Sequence, residues 1–222
     1  MPDRPILLVD LDGTITDSLD GISRSLHHAL DAVGGRWDTT RDIRSIAGPP
    51  MTETLASLGL DGADLDRALA AYRERYDEVG WRENAVFAGM DTLLNRLATD
   101  GYRMAVATSK DQDAARRILA HFDLTAPFEF IGGADIRVGR LAKADVIAHS
   151  LDALGIPVVP AAEGGTSGAL MIGDREHDVD GARLYGIDTA LVKWGYGRPH
   201  EWDDARWSVT DTAELEAIIR EQ

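Results

Sequence analysis

Two aspartates near the start of the chain, Asp10 and Asp12, have the spacing that paired-carboxylate chemistry requires. They follow an apolar run at 6–9, which is typical of a short strand buried on both faces. Alternation along an extended segment places both carboxylates on one side. Without a cation they would repel each other, whereas Mg²⁺ is bound by one or two carboxylates and phosphate oxygens. The pattern predicts a Mg²⁺ and phosphate site beside Gly13, and an ordinary acidic turn is the alternative.

Hydroxyl and ammonium groups that could bind a phosphate lie at two other element ends. Thr108 and Ser109 follow a predicted strand at 103–107, where a hydroxyl can donate to a phosphoryl oxygen. In isolation such a pair is more typical of a helix N-cap or a turn. Lys143 lies near the start of a predicted helix at 141–154, where the helix dipole disfavours a cation unless an anion lies in front of it. A phosphate ligand and a solvated surface lysine are both consistent with Lys143 alone.

Two further aspartates, Asp174 and Asp178, follow the predicted strand at 169–172. Asp174 lies at the strand tip, and in α/β sheets ligands bind outside the carboxyl ends of the strands. Asp178 lies near the start of the next helix, where the dipole favours a carboxylate. Both side chains could bind a hard divalent cation. We expect His177, which is flanked by acids, to be exposed or paired with a carboxylate rather than catalytic.

The elements that must position these residues alternate along most of the chain. Strands are predicted at 6–9, 103–107, 128–131, 169–172, 189–192 and 207–209, and helices at 90–99, 113–122, 141–154, 179–185 and from 211 onward. This alternation predicts an α/β fold with a parallel sheet. Four helices and no strand are predicted between 17 and 87. We therefore expect a core domain formed by 1–16 and 88–222, and an inserted all-helical domain at 17–87.

The composition excludes several classes of function. The 222 residues contain no cysteine, which excludes disulfides, zinc–thiolate sites and thiol catalysis. The net charge of −15 argues against nucleic-acid polymers and anionic membranes as partners. No apolar stretch is long enough to span a bilayer. The opening residues Met1-Pro-Asp-Arg-Pro become charged too early for a signal peptide, so we expect a cytoplasmic protein.

The four motifs, taken in order, resemble those of the haloacid dehalogenase-like (HAD) phosphohydrolases. Asp10-Leu-Asp-Gly-Thr resembles the first motif, Thr108 the second, Lys143 the third, and Asp174 with Asp178 the fourth. Each motif is weak alone, but four in the correct order over the whole chain are specific. The segments around the third and fourth motifs, and Trp194-Gly-Tyr-Gly, are similar to the phosphoglycolate phosphatase and 5′-nucleotidase branch. The resemblance implies a Rossmann-like parallel sheet with an inserted helical cap.

The resemblance also implies a role for each motif residue. Asp10 would attack phosphorus and Asp12 would act as general acid and base. Mg²⁺ would be bound by Asp10, the backbone carbonyl of Asp12, and Asp174, with Asp178 acting through water or through Lys143. The phosphate-binding groups would be Thr108, Ser109, Lys143 and the backbone amides at and after Gly13.

The expected substrate is a small phosphorylated metabolite, and the expected assembly is a monomer or a homodimer. Cap residues would set the specificity, with Arg44, Gly48 and Pro49 as candidates. Three alternatives stay open at this point. A phosphomutase would share the two aspartates and the helical cap, and a non-catalytic regulatory module would share only the fold. A receiver-like phospho-acceptor domain would be much shorter and would lack the cap.

Overall fold

The structure, a computed structural model, describes residues 4–222. The first three residues, which belong to the segment considered as a signal peptide, lie outside this range. The strands are β1 (Ile6–Val9), β2 (Thr16–Asp17), β3 (Ala85–Val86), β4 (Met104–Asp111), β5 (Phe130–Ala134), β6 (Ala169–Gly173), β7 (Asp188–Val192) and β8 (Trp207–Val209). Six of them form one sheet in the order β5-β4-β1-β6-β7-β8, and its neighbouring strands pair in parallel. The predicted α/β class is confirmed.

Helices connect the strands and form most of the remaining regular structure. They are α1 (Leu19–Ala32), α2 (Met51–Ser57), α3 (Gly62–Glu78), α4 (Met90–Thr99), α5 (Gln112–His121), α6 (Lys143–Ala153), α7 (Glu176–Arg183), α8 (Pro199–Trp202) and α9 (Thr212–Glu221). Within residues 4–222, none of the helices has the length and apolar character needed to cross a membrane.

The described chain divides into two compact units. The sheet unit contains the residues up to Thr16 and the segment Val86–Gln222, and the helical unit is Asp17–Ala85. In the helical unit α1 packs on α3, and the Glu83 carboxylate accepts hydrogen bonds from Arg75 and Arg24. The chain passes between the units at β2 and β3, which pair with each other.

Strand β1 lies in the middle of the sheet because its residues can be buried on both faces. All four are buried, and Leu7 pairs with Met104 on one side and Leu170 on the other. Continuous apolar sequence is typical of such a central parallel strand, whereas an edge strand would keep a polar face. The residue after β1 therefore emerges between the ends of β4 and β6.

The structure corrects some of the predicted elements. One of the four helices predicted between 17 and 87, the one at 41–47, is a single 3₁₀ turn, Ile43–Ile46. The Asp42 side chain caps this turn at the amide of Arg44, and the Gly-Pro-Pro sequence follows immediately. Strands β2 and β3 were not predicted, since two residues are too few to show an alternating pattern. Strand β4 extends to Asp111 with a register irregularity between Thr108 and Asp111, beyond the apolar residues that predicted it.

Candidate active site

Asp10 is the first residue after β1 and lies at the carboxyl end of the sheet. Its amide donates to the carbonyl of Ile172 at 2.9 Å, which ties the backbone to β6. The residue is 4% exposed, so little of its carboxylate reaches bulk water. Ligands of parallel α/β sheets bind outside this edge, so Asp10 is well placed to contact one.

The backbone turns sharply after Asp12, and a glycine is required at the turn. The amide of Gly13 donates to the carbonyl of Thr16 at 2.8 Å. Gly13 has a φ of +84°, and a Cβ atom there would lie 2.2 Å from Oδ2 of Asp174. The left-handed conformation and the close approach of Asp174 both exclude a larger residue at Gly13.

Three carboxylates meet beside this turn. Oxygen atoms of Asp10, Asp174 and Asp178 all lie within 4.8 Å of one another, and the three residues are buried. Backbone amides fix two of the side chains: Tyr196 donates to Asp174 Oδ2 at 2.7 Å, and Arg175 donates to Asp178 Oδ2 at 3.0 Å. The sequence places Asp174 directly after β6 and Asp178 in the first turn of α7, so the two elements hold this acidic triad together.

Lys143 is the one ammonium group that the described residues place against the acidic triad. Its Nζ lies 2.9 Å from Oδ1 of Asp10 and 2.6 Å from Oδ1 of Asp178. Lys143 is the first residue of α6 and is itself buried. The side chain passes close to Gly181 of α7, where a Cβ atom would lie 3.0 Å from Lys143 Cγ. The anion expected in front of this helix start is thus supplied, in part, by the protein's own carboxylates.

The electrostatics of the triad favour an additional positive charge. Burial, and then the negative charges of Asp178 and Asp10, raise the pKa of Asp174 well above its ordinary value. Burial also raises the pKa of Asp10, although Lys143 opposes it. Oδ1 of Asp174 is buried and has no hydrogen-bond partner among the described residues. Because oxygen ligands suit hard divalent cations, this donor set fits Mg²⁺.

The burial of Lys143 does not neutralise it. Burial alone would lower the pKa of Lys143, but the charges of Asp10 and Asp178 raise it above its ordinary value. Burial would likewise raise the pKa of Asp178, and Lys143 is the main reason that this pKa is lowered instead. The Lys143–Asp178 pair therefore stays ionised at neutral pH.

The end of β4 brings hydroxyl groups and a second ammonium group to the same edge. Thr108 is buried and its Oγ1 accepts a hydrogen bond from the amide of Lys110 at 3.2 Å. Ser109 follows on the same strand and is half-buried. The Nζ of Lys110 donates to Oδ2 of Asp12 at 2.8 Å. The Asp12 carboxylate is thus paired outside the acidic triad, and a part for Asp12 in metal binding, through its backbone carbonyl, stays a prediction.

The other predicted positions are Arg44, Gly48, Pro49 and His177. Arg44, Gly48 and Pro49 belong to the helical unit. The Arg44 side chain is 56% exposed and donates to Asp42 at 3.0 Å, and Gly48 adopts a φ of +109°. Their proposed part in specificity stays a prediction. His177 is half-buried on α7, next to Asp178.

Sequence reasoning did not single out three contributors to the site. Lys110 directly follows Thr108 and Ser109, and this adjacency to two predicted phosphate-binding residues is the sequence signal that could have identified it. The amide of Tyr196 belongs to the Trp-Gly-Tyr-Gly segment, which resembled a family signature without a stated role. Glu201 gives no sequence signal, because only the fold brings it beside Arg175.

Comparisons with known proteins give a consistent family. Residues 7–192 match the model of the haloacid dehalogenase-like hydrolases. The chain is 44% identical over 216 residues to the tyrosine-protein kinase PtkA of Mycobacterium tuberculosis, covering 97% of this chain and 71% of that protein. It is 38% identical over 198 residues to a 5′-nucleotidase of Pseudomonas aeruginosa, covering 89% and 86%.

A solved structure agrees with the sequence matches. The crystal structure of a predicted phosphatase from Clostridium acetobutylicum superposes with a TM-score of 0.86 at 32% sequence identity. The match covers 99% of both chains, so the helical unit and the sheet unit each have a counterpart there.

Proposed function

Because this chain belongs to the haloacid dehalogenase-like hydrolases, we propose that it is a Mg²⁺-dependent phosphomonoester hydrolase that works through an aspartyl-phosphate on Asp10. The observation that carries the proposal is the contact of buried Lys143 with Asp10 and Asp178, 2.9 and 2.6 Å away, inside an acidic triad at the carboxyl end of the sheet. A nucleophilic carboxylate, a cation-binding set and a phosphate-binding cation thus share one place.

The two aspartates of the first motif have different roles in this proposal. An oxygen of the Asp10 carboxylate attacks phosphorus, and the bond from phosphorus to the ester oxygen breaks. Asp12 gives its proton to that leaving oxygen. In the second half-reaction Asp12 takes a proton from water, whose oxygen attacks the phosphoryl group. The bond from Asp10 to phosphorus then breaks, which releases inorganic phosphate and regenerates the Asp10 carboxylate.

The chain's own residues bind and orient the phosphoryl group. Lys143, the Thr108 hydroxyl and the amides that follow Asp10 are the proposed donors to its oxygens, with Ser109 beside them. Asp10, Asp174 and Asp178 would hold Mg²⁺, together with the Asp12 carbonyl. When bound, Mg²⁺ supplies positive charge that lets an anionic ester approach these carboxylates.

The proposed substrate is a small phosphorylated metabolite of the cytoplasm, such as a nucleoside monophosphate or phosphoglycolate. The Pseudomonas aeruginosa relative is named a 5′-nucleotidase, which favours a nucleoside monophosphate over phosphoglycolate as the substrate. Residues 17–87 would form a cap that closes over the substrate about hinges at 16–19 and 85–89, with Arg44, Gly48 and Pro49 as specificity residues. The enzyme would act as a monomer or a homodimer.

The acceptor of the phosphoryl group separates this proposal from its rivals. Water gives a phosphatase, and a second hydroxyl of the same substrate gives a phosphomutase. A relative that is 44% identical is named a tyrosine-protein kinase, which makes a tyrosine hydroxyl a third acceptor to test. The sequence contains neither G-x-x-x-x-G-K-[ST] nor G-x-G-x-x-G, the glycine-rich phosphate loops of P-loop enzymes and protein kinases.

The test measures inorganic phosphate released from a substrate panel, with Mg²⁺ or with EDTA. The panel contains p-nitrophenyl phosphate, phosphoglycolate, nucleoside monophosphates, sugar phosphates and phosphotyrosine. We expect Mg²⁺-dependent release that Asp10→Asn abolishes, while Asp66→Asn, an exposed carboxyl in the helical unit, leaves it unchanged. Isomerised sugar phosphate without free phosphate would favour a mutase. Transfer from ATP to a tyrosine peptide without free phosphate would favour a kinase.

A further inference from the structure

A segment after β7 contacts both loops that carry the acidic triad. We call residues 194–201 the strap. The indole Nε1 of Trp194 donates to the carbonyl of Thr14 at 3.1 Å, in the loop that follows Asp10. The amide of Tyr196 donates to Oδ2 of Asp174 at 2.7 Å. The strap therefore connects the end of β1 to the end of β6 on the ligand-binding edge of the sheet.

The strap lies so close to these loops that two of its positions must be glycine. A Cβ atom on Gly195 would lie 2.2 Å from the carbonyl oxygen of Gly13 and 2.5 Å from Cβ of Asp174. A Cβ atom on Gly197 would lie 2.0 Å from the carbonyl oxygen of Asp174. These contacts are with backbone and with a buried side chain, so they could not be relieved by moving a flexible side chain.

The strap ends in a buried carboxylate, Glu201, which is 2% exposed. Its Oε2 accepts from Nε of Arg175 at 3.0 Å and from the amide of Glu176 at 2.8 Å. Its Oε1 accepts from the amide of Arg198 at 3.2 Å. Glu176 is the first residue of α7, so Glu201 caps the helix that carries Asp178 from outside that helix.

This arrangement matters because the acidic triad opposes its own assembly. Lys143 contacts Asp10 and Asp178, but the three buried carboxylates still repel one another, and the loop between Asp174 and Asp178 must resist that repulsion. Glu201 holds two of the three intervening residues, Arg175 by its side chain and Glu176 by its backbone.

We propose that Glu201 is a positioning residue for the cation site: it fixes the 174–178 loop, and so the spacing of Asp174 and Asp178, without contacting substrate or metal. The inference rests on the proposed Mg²⁺-dependent function. Groups that orient metal ligands in this way change metal affinity by about 10- to 100-fold when they are removed. A capping carboxylate with a merely structural role would leave Mg²⁺ affinity unchanged.

The test compares Mg²⁺ binding to the wild type and to Glu201→Gln by calorimetry, without substrate. Glutamine keeps the shape and one acceptor oxygen but loses the charge that Arg175 contacts. We expect Mg²⁺ affinity to fall at least tenfold, and the Mg²⁺-induced rise in Tm to shrink. At saturating Mg²⁺, kcat and KM should return close to the wild-type values.

The matched control is Glu214→Gln, which removes another carboxylate at a helix start, one that accepts from the amide of Thr210 at 2.8 Å. We expect this variant to bind Mg²⁺ as the wild type does. Should Glu201→Gln fail to fold, Arg175→Lys replaces it and should weaken Mg²⁺ binding in the same direction.

Two outcomes overturn the inference, and they differ from each other. A wild type that binds Mg²⁺ and hydrolyses phosphate esters, with a Glu201 or Arg175 variant of unchanged Mg²⁺ affinity, overturns the role of Glu201 alone. A wild type that neither binds Mg²⁺ nor releases phosphate overturns the proposed function and this inference with it.

Discussion

Lys110 Nζ lies 2.8 Å from Oδ2 of Asp12, and both side chains are largely shielded, 9% and 15% exposed. The other aspartate of the same loop, Asp10, contacts Lys143 instead. The two carboxylates therefore have separate lysine partners and separate surroundings. Two carboxyl groups in different environments can have different roles in one reaction.

A first prediction follows for Lys110→Met. If Lys110 orients Asp12, and Asp12 protonates the leaving oxygen, the loss of kcat in this variant should depend on how much protonation the leaving group needs. We expect about a 100-fold loss in kcat with an alkyl phosphate and a clearly smaller loss with p-nitrophenyl phosphate, whose leaving group needs little protonation. Lys110→Arg, which keeps the charge, should recover part of the difference. Equal losses with both substrates would show that Lys110 does not act through Asp12.

A second prediction compares two glycines with similar backbone conformations. Gly13 and Gly34 have φ values of +84° and +70°, but only the Cβ atom added at Gly13 would meet other atoms, those of Asp174. Gly34→Ala should cost about 1 kcal/mol in the free energy of unfolding and leave turnover unchanged.

Gly13→Ala should in addition displace Asp174 and lower kcat/KM by about 100-fold or more. Steady-state kinetics together with thermal unfolding separate the two effects. Near-normal turnover of Gly13→Ala would mean that the tight contact with Asp174 is not needed.

A third prediction concerns the Glu83 ion pairs in the helical unit. Glu83 accepts from both terminal nitrogens of Arg75 at 2.8 and 2.9 Å and from Arg24 at 3.1 Å. The hydrogen bonds from Arg75, with its charge and that of Arg24, lower the pKa of Glu83 against the opposing effect of burial. A lowered pKa in the folded state stabilises the fold above the unfolded-state pKa of about 4.3. That stabilisation is lost as the pH falls through the folded-state value.

Glu83→Gln should therefore lower the free energy of unfolding by about 1–3 kcal/mol at pH 7, and by less below about pH 4. Urea unfolding followed by circular dichroism at several pH values measures this. Asp20→Asn removes an exposed partner of Arg24 and should change stability by less than about 0.5 kcal/mol. A destabilisation by Glu83→Gln that did not change with pH would contradict the ion-pair explanation.

The sequence predicted the fold where burial leaves a clear pattern. The apolar residues of β1 indicate a central parallel strand, and the strand and helix alternation indicates the α/β class; both are confirmed. The segment at 41–47 was predicted as a helix but contains only the 3₁₀ turn Ile43–Ile46, because so few residues give no reliable period. The start of α6 was placed at 141 rather than at Lys143, because exposed Leu141 fits a helical stripe as well as it fits a loop.

The same is true of the site: residues with a local sequence pattern were predicted, whereas a contact between distant residues was not. Asp10, Asp174, Asp178 and Lys143 were predicted as one site because their order along the chain resembles the family's motifs and each lies at a strand end or a helix start. The structure brings the four side chains together. Their catalytic roles stay predictions. The pairing of Lys110 with Asp12 joins residues 98 positions apart, and no local pattern encodes such a contact.

A fourth prediction concerns the cation. The Asp174 pKa, raised by burial and by Asp178 and Asp10, indicates a site that needs positive charge. The enzyme should be inactive in EDTA and regain activity with Mg²⁺. Ca²⁺ should restore little, because its larger and looser coordination shell would misplace the Asp10 carboxylate. Phosphate release measured with each ion checks this, and equal rates with Mg²⁺ and Ca²⁺ would contradict it.

The central claim is that Asp10 becomes phosphorylated during hydrolysis. A ³²P-labelled phosphomonoester that the enzyme turns over, mixed with excess enzyme and Mg²⁺ and quenched with acid within one turnover, tests it most directly. We predict that label appears on the peptide that contains Asp10, and that its decay matches the appearance of free phosphate. Asp10→Asn should give no label. Phosphate release without labelled protein, or label on a different residue, would contradict the mechanism.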